Sequence, residues 1–146
     1  LHAYCLMGNH YHLLVKSREG RLSAGMQRLA SNFTHSMNLR HGRDGALFRG
    51  RFASREIMDN SHLVQVLRYI HLNPMEARLV ARPENWRWSS ANSYVGVRPM
   101  GLTPRALVTA ELLGLFGSRP RAVYADFIAA GIDENTRRTY DALKWT

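Results

Sequence analysis

The run Gly8-Asn9-His10-Tyr11-His12-Leu13-Leu14-Val15-Lys16 constrains the fold of this chain more than any other stretch. Aromatic and β-branched residues predict a strand from about His10 to Lys16, and Gly8-Asn9 predicts a tight turn just before it. Leu1 to Met7 alternates moderately, so the two segments should pair as an antiparallel hairpin. Successive side chains on a strand point to opposite faces. His10 and His12 should therefore share a face, about 7 Å apart along the strand. Two imidazoles on such a platform can converge on one metal ion. They do not complete a site, because a catalytic metal needs at least a third protein ligand and open positions for substrate oxygen.

The remainder reads as mostly helical. Met26, Leu29, Ala30, Phe33, Met37 and Leu39 follow helical spacing from about Ser23 to Arg40, with Ser23 as the expected N-cap. His41 to Ala46 is a loop, and Leu47 to Met58 an extended segment interrupted by Gly50. Asn60 or Ser61 should cap a helix carrying Leu63, Val64, Val66, Leu67 and Ile70. That helix should end near Asn73, since Pro74 disfavours helical backbone in the residue before it. A short helical piece near Met75 to Val80, a Trp-containing loop from Pro83 to Trp88 and a helical turn near Ser89 to Tyr94 follow. Gly96 to Pro104 is the best linker candidate, which divides the chain into residues 1–98 and a helical extension, 99–146. In that extension Ala106 to Phe116 and Arg121 to Ala130 read as helices. They could form a helix-turn-helix-like DNA-binding appendage or simply a helical cap.

Charge narrows the class of partner. Twenty Lys and Arg against eleven Asp and Glu give +9 and a pI near 10.6. That is the electrostatic footprint of a nucleic-acid binder. Much of the excess lies between Lys16 and Arg55, where Lys16, Arg18, Arg21, Arg28, Arg40, Arg43, Arg49, Arg51 and Arg55 face only Glu19 and Asp44. Arginine suits planar phosphate contacts better than lysine. The candidates for DNA contact are Lys16, Arg18, Arg40, Arg49, Arg51 and Arg55; a merely solvated basic surface is the competing reading. Arg49 and Arg51 flank Gly50 and should share a strand face. One cysteine, Cys5, excludes an intramolecular disulfide and fits a reducing cytoplasm. No apolar run approaches the ~20 residues of a membrane span.

Tyr69 and Asn73 stand four apart in Leu67-Arg68-Tyr69-Ile70-His71-Leu72-Asn73-Pro74, so on a helix they share a face. The Asn amide oxygen can serve as a third, hard ligand and the Tyr phenol as a nucleophile. A phenol of pKa near 10 needs its oxyanion stabilised, which a metal-bound phosphate and nearby Arg would provide. The plainer reading is an ordinary helix end with a core tyrosine. His2, His35, His41, His62 and His71 lack convincing mutual spacing, and His71 should face away from Tyr69. Tyr4, Tyr94, Tyr124 and Tyr140 have no Asn or Gln four residues on. Trp86 and Trp88 could stack on DNA bases, though core packing is the favoured role.

The blocks MGNHYHLLV, GALFRGRF, RYIHLNPMEARLV and NWRWSSANSYVG occur in an order and spacing that resembles the REP-associated tyrosine transposases, a branch of the single-tyrosine HUH transposase family. The resemblance spans about Leu1 to Gly96. It implies an α+β, ferredoxin-like antiparallel sheet with helices on one face, followed here by C-terminal helices. It also implies Tyr69 as nucleophile, His10, His12 and Asn73 as metal ligands, and Mg²⁺ or Mn²⁺ as cofactor. Members cleave and rejoin single-stranded DNA at hairpin-forming repeats through a 5′-phosphotyrosine, as monomer or homodimer. Members also carry a strand and helix before the segment corresponding to LHAYCLM. The expectation is therefore an N-terminally truncated domain that gives little covalent product unless that segment is supplied. A non-catalytic DNA-binding remnant is the alternative. Gly8 stands where members often have Pro.

Overall fold

β1 (Ala3–Leu6) and β2 (Tyr11–Leu14) form an antiparallel hairpin in register Ala3–Leu14, Tyr4–Leu13, Cys5–His12 and Leu6–Tyr11. The structure is a computed structural model; it describes residues 1–17, 20–97, 104–134 and 137–138. Met7 N–H donates to the His10 carbonyl at 2.9 Å, closing the expected turn at Gly8-Asn9. Neither turn residue has a positive φ, so this is not the left-handed turn that two-residue hairpins favour. The second strand is shorter than expected. His10 occupies the last turn position and Val15 to Ser17 leave the ladder. On its other side β1 meets the chain after the Trp loop. Leu6 N–H donates to Trp88 O at 2.8 Å, and Ser90 N–H donates to Tyr4 O at 3.0 Å.

Two compact units emerge, residues 1–15 with 57–146, and residues 16–56. In the first, the inward face of the hairpin (Ala3, Cys5, Leu14) packs with Leu67, Ile70 and Leu72 of α2 (Asn60–Glu76). The cap of α2 is Asp59, not Asn60 or Ser61; its carboxylate accepts from His62 N–H at 2.7 Å. Nor does α2 stop before Pro74. It runs a further turn, with Pro74 buried inside it. Burial of Leu72, Asn73 and Pro74 outweighs the local preference against helix before proline. The helix ends in a Schellman arrangement, with Arg78 N–H on Met75 O at 2.8 Å and Leu79 N–H on Pro74 O at 2.9 Å. Arg78 takes the left-handed position at φ 57°, a place usually filled by glycine.

After α2, Pro83–Asn85 form a 3-10 turn, and α3 (Ala91–Val95) ends at Gly96. The chain then forms α4 (Ala110–Leu113), a 3-10 turn over Gly114–Phe116, and α5 (Pro120–Ala129). Leu112, Leu113, Tyr124 and Ile128 enter the same core as the hairpin and α2. Arg68 helps to dock α5, with its guanidinium 4.2 Å over the Phe127 ring and its Nη2 donating to Gln65 Oε1 at 2.6 Å. The boundary expected at 98/99 lies outside the described residues, as do Tyr140 and most of the tail.

The second unit is built on α1 (Leu22–His41), with Arg21 rather than Ser23 at its N-cap and Gly42 (φ 58°) as its left-handed C-cap. The Phe33 and Phe48 rings meet at 6.1 Å. Leu47 to Met58 forms no strand, so Arg49 and Arg51 do not share a strand face. A strand exists only through a ladder partner, and this segment finds none among the described residues.

The architecture is thus mixed α and β, with a two-stranded antiparallel sheet among the described residues. No helix among them is long and apolar enough to cross a membrane.

Candidate metal and nucleophile site

The hairpin turn and the middle of α2 bring His10, His12 and Tyr69 together. His12 pairs with Cys5 and lies two residues from Leu14, so it points to the helix-facing side of the hairpin. There its ring meets Tyr69 edge-on, with centroids 5.5 Å apart. His10 is one pleat nearer the turn, its centroid 5.1 Å from that of His12 and its ring plane at 85°. The apolar core stops at Leu14 and Cys5; His12 and His10 continue the same face outward, from half-buried to exposed.

This pair fits a shared cation. With a nitrogen–metal bond of about 2.1 Å, two imidazoles on one ion at roughly 90–110° have centroids about 4.5–5.3 Å apart. The His10–His12 separation of 5.1 Å falls in that range. Asn9 adds a feature that sequence reasoning missed. Its Oδ1 lies 2.8 Å from His10 Nδ1. An amide oxygen can only accept, so Nδ1 carries the proton of the neutral ring and Nε2 carries the lone pair. A ligating histidine is commonly oriented in this way, through its other nitrogen. The local signal is an Asn immediately before the motif, which by sequence alone stands only as a turn residue.

Asn73 is 5% exposed and follows Tyr69 by one turn on the same face of α2. Its Nδ2 donates to Tyr69 O at 2.8 Å. The amide nitrogen is spent on the helix, so its oxygen is the end left for a ligand. Among the described residues no three His, Cys, Asp or Glu side chains gather to hold a metal; the Asn73 amide oxygen is the candidate for a third ligand. Two imidazoles and an amide suit Mn²⁺ better than Mg²⁺, which prefers oxygen throughout.

Lys16, Arg40, Arg49, Arg51 and Arg55 belong to the second unit and are all exposed; Arg18 lies outside the described residues. Trp86 packs on the core and Trp88 is 39% exposed.

His71 does face away from Tyr69, into the core, where it is fully buried. Its ring packs on Tyr94 and Tyr124, with centroids at 5.0 and 5.9 Å. Its nitrogens contact Tyr124 Oη at 2.5 Å and Ser90 Oγ at 2.7 Å. One proton arrangement satisfies every group. Tyr124 O–H donates to Nδ1, Nε2–H donates to Ser90 Oγ, and Ser90 O–H donates to Tyr4 O at 3.2 Å. The opposite tautomer would leave the buried Tyr124 proton with no acceptor among the described residues. Burial lowers the His71 pKa to about 3 and pushes those of Tyr94 and Tyr124 up. Burial likewise pushes the Cys5 thiol up to about 12, which removes it as a nucleophile.

No protein-family model, curated protein or solved structure matches the chain.

Proposed function

We propose that this chain is a transposase-type nuclease of the HUH class, with a ferredoxin-like fold extending from the hairpin. It would cleave and rejoin single-stranded DNA at hairpin-forming repeats. The observation that supports the reading is the meeting of His10, His12 and Tyr69, two potential ligands and one potential nucleophile, at the open end of an otherwise apolar hairpin–helix contact. His10, His12 and Asn73 would hold a Mg²⁺ or Mn²⁺ ion. When bound, that ion supplies positive charge to a non-bridging phosphate oxygen.

The chain's own residues supply the rest. Tyr69 Oη attacks the phosphorus and gives up its proton. The bond from phosphorus to the 3′-oxygen breaks, that oxygen takes up a proton, and a free 3′-OH leaves. The strand's 5′ phosphate stays on Tyr69 as a phosphodiester, so the reverse attack by a 3′-OH can rejoin ends. Asn9 holds the His10 tautomer, and the edge-on His12 contact fixes the Tyr69 ring. A cytoplasmic protein acting on DNA as monomer or homodimer fits this chemistry.

The test is covalency. The full-length protein, incubated with Mn²⁺ and a hairpin-flanked single strand, should form a denaturation-resistant adduct with the 5′ side of the break. Tyr69→Phe keeps the ring packing and should abolish the adduct while DNA binding persists. An adduct surviving in Tyr69→Phe would move the nucleophile elsewhere. DNA binding without any adduct from the wild type would favour the binding-only reading.

A further inference from the structure

Beside the hairpin turn lies an open cleft of about 320 Å³ lined by Leu6, Met7, Gly8, Trp86 and Trp88. We propose that it is a stacking subsite for one unpaired base of the DNA strand, held next to the His10–His12 turn. The proposal rests on the DNA-processing reading above and deepens it by locating where the strand is gripped.

The walls carry the argument. Two indoles meet the last residue of β1 and the start of the turn, so the lining is flat and largely apolar. Leu6 and Trp88 remain 41% and 39% exposed, leaving apolar surface that the core does not use. The cleft is rigidly built. Trp86 Nε1–H donates to Leu6 O at 2.9 Å, and Leu6 N–H donates to Trp88 O at 2.8 Å. The Trp86 indole and the Trp88 backbone are thereby tied to β1. The same bonds consume both backbone groups of Leu6, so the cleft offers ring faces rather than a hydrogen-bonding edge. Recognition of that kind tolerates any base, because every base has a π-face.

Size and charge select the occupant. The volume lies at the low end of small-ligand pockets, about 300–1,000 Å³, which suits one planar ring system. The Arg87 guanidinium sits 4.6 Å over the Trp88 ring, so a cation borders the cleft and covers one face of that indole. The chain's net charge of +9 favours the same polyanion. The cleft ends at Gly8, and Asn9 and His10 follow directly, so a strand anchored here passes the candidate ligands within a nucleotide or two.

The experiment compares wild type, Trp88→Ala and Trp88→Phe in the full-length protein, by fluorescence anisotropy, on a 15-nucleotide thymine strand and an abasic strand of equal length. Trp88→Ala should weaken binding of the thymine strand roughly 5- to 150-fold, the range for one stacked base. It should leave abasic binding within about 2-fold and the salt slope unchanged, since an indole neutralises no phosphate. Trp88→Phe should recover most of the affinity, and an adenine strand should show a similar loss. Equal losses on both strands, or no loss on thymine, would overturn the subsite while steep salt dependence of the wild type still upheld DNA binding. A wild type that binds neither strand would overturn both.

Discussion

Lowering the pH from 8 to 5 should cost the fold about 2 kcal/mol through one side chain, His71, whose pKa burial lowers to about 3. The unfolded chain has a histidine of pKa near 6.5. Between the two values the unfolded state binds a proton that the folded state excludes, so stability falls as pH falls. The contribution is fully present above pH 6.5. It has lost about 2 kcal/mol by pH 5. The loss levels off near 5 kcal/mol below pH 3, at about 1.36 kcal/mol for each pH unit that separates the two pKa values. The structural cause is double. The ring is fully buried among aromatic residues, and its acceptor nitrogen already takes the Tyr124 proton. For a domain stable by about 5–15 kcal/mol that is a large share.

Urea unfolding at the two pH values reads the effect as a fall in midpoint of about 1 M, taking a slope near 2 kcal/mol per M. The chain carries six other histidines. The control is therefore the double variant His71→Met/Tyr124→Phe, which removes the titrating group together with the hydroxyl it would orphan. Its stability at pH 8 should be lower, and its pH dependence flatter by about 2 kcal/mol. NMR of the wild type needs no variant, since the His71 ring should not titrate between pH 8 and 5. A folded-state His71 that protonates above pH 5.5, or a double variant with undiminished pH dependence, would refute the reasoning.

Three further outcomes are expected. Asn9→Ala should weaken Mn²⁺ binding measured by calorimetry about 10-fold, and ¹⁵N NMR of the metal-free protein should show the His10 proton on Nδ1 in the wild type and a mixed tautomer in the variant. Arg78→Gly should raise stability in thermal or urea unfolding by about 1 kcal/mol, because the φ of 57° at that helix end strains any residue with a Cβ. Replacing Arg49 and Arg51 together with Ala should reduce the slope of log affinity for single-stranded DNA against log salt by about 1.4, or roughly 0.7 for each phosphate no longer neutralised; an unchanged slope would leave those exposed residues as solvated surface.

What could be read from the chain follows the range of the forces involved. The hairpin is a local object. Its turn residues and alternation lie within fourteen residues, and the register Cys5–His12 follows from them. The i, i+4 relation of Tyr69 and Asn73 is equally local. The end of α2 departs from expectation because local preference is only one of the forces acting there. Pro74 argues for a stop, but Leu72, Asn73 and Pro74 are buried by contacts made elsewhere in the chain. Leu47 to Met58 departs for a related reason, since its composition suits a strand but only a ladder partner makes one.

His71 shows where local reasoning ends. Spacing alone turns it away from Tyr69, and the structure agrees. Spacing does not name what it meets, because Ser90 is 19 residues away and Tyr124 is 53. Yet those partners support the candidate site. The chain of donors runs from Tyr124 on α5 through His71 on α2 to Ser90, and Ser90 Oγ both accepts from Tyr4 N–H at 2.9 Å and donates to Tyr4 O. Tyr4 lies on β1, the strand paired with the one that carries His12. The helix bearing Tyr69 and the hairpin bearing the histidines are thus tied together on the far side of α2 by a polar core, while on the site side the His12 and Tyr69 rings meet edge-on at 5.5 Å. Catalytic geometry tolerates errors of less than about 1 Å. Loosening the buried network should therefore disturb the His12–Tyr69 approach before it unfolds the protein, and Tyr124→Phe, which touches neither, should lower adduct formation while leaving DNA affinity unchanged. An adduct yield equal to wild type in that variant would show that the site is held by its own contacts alone.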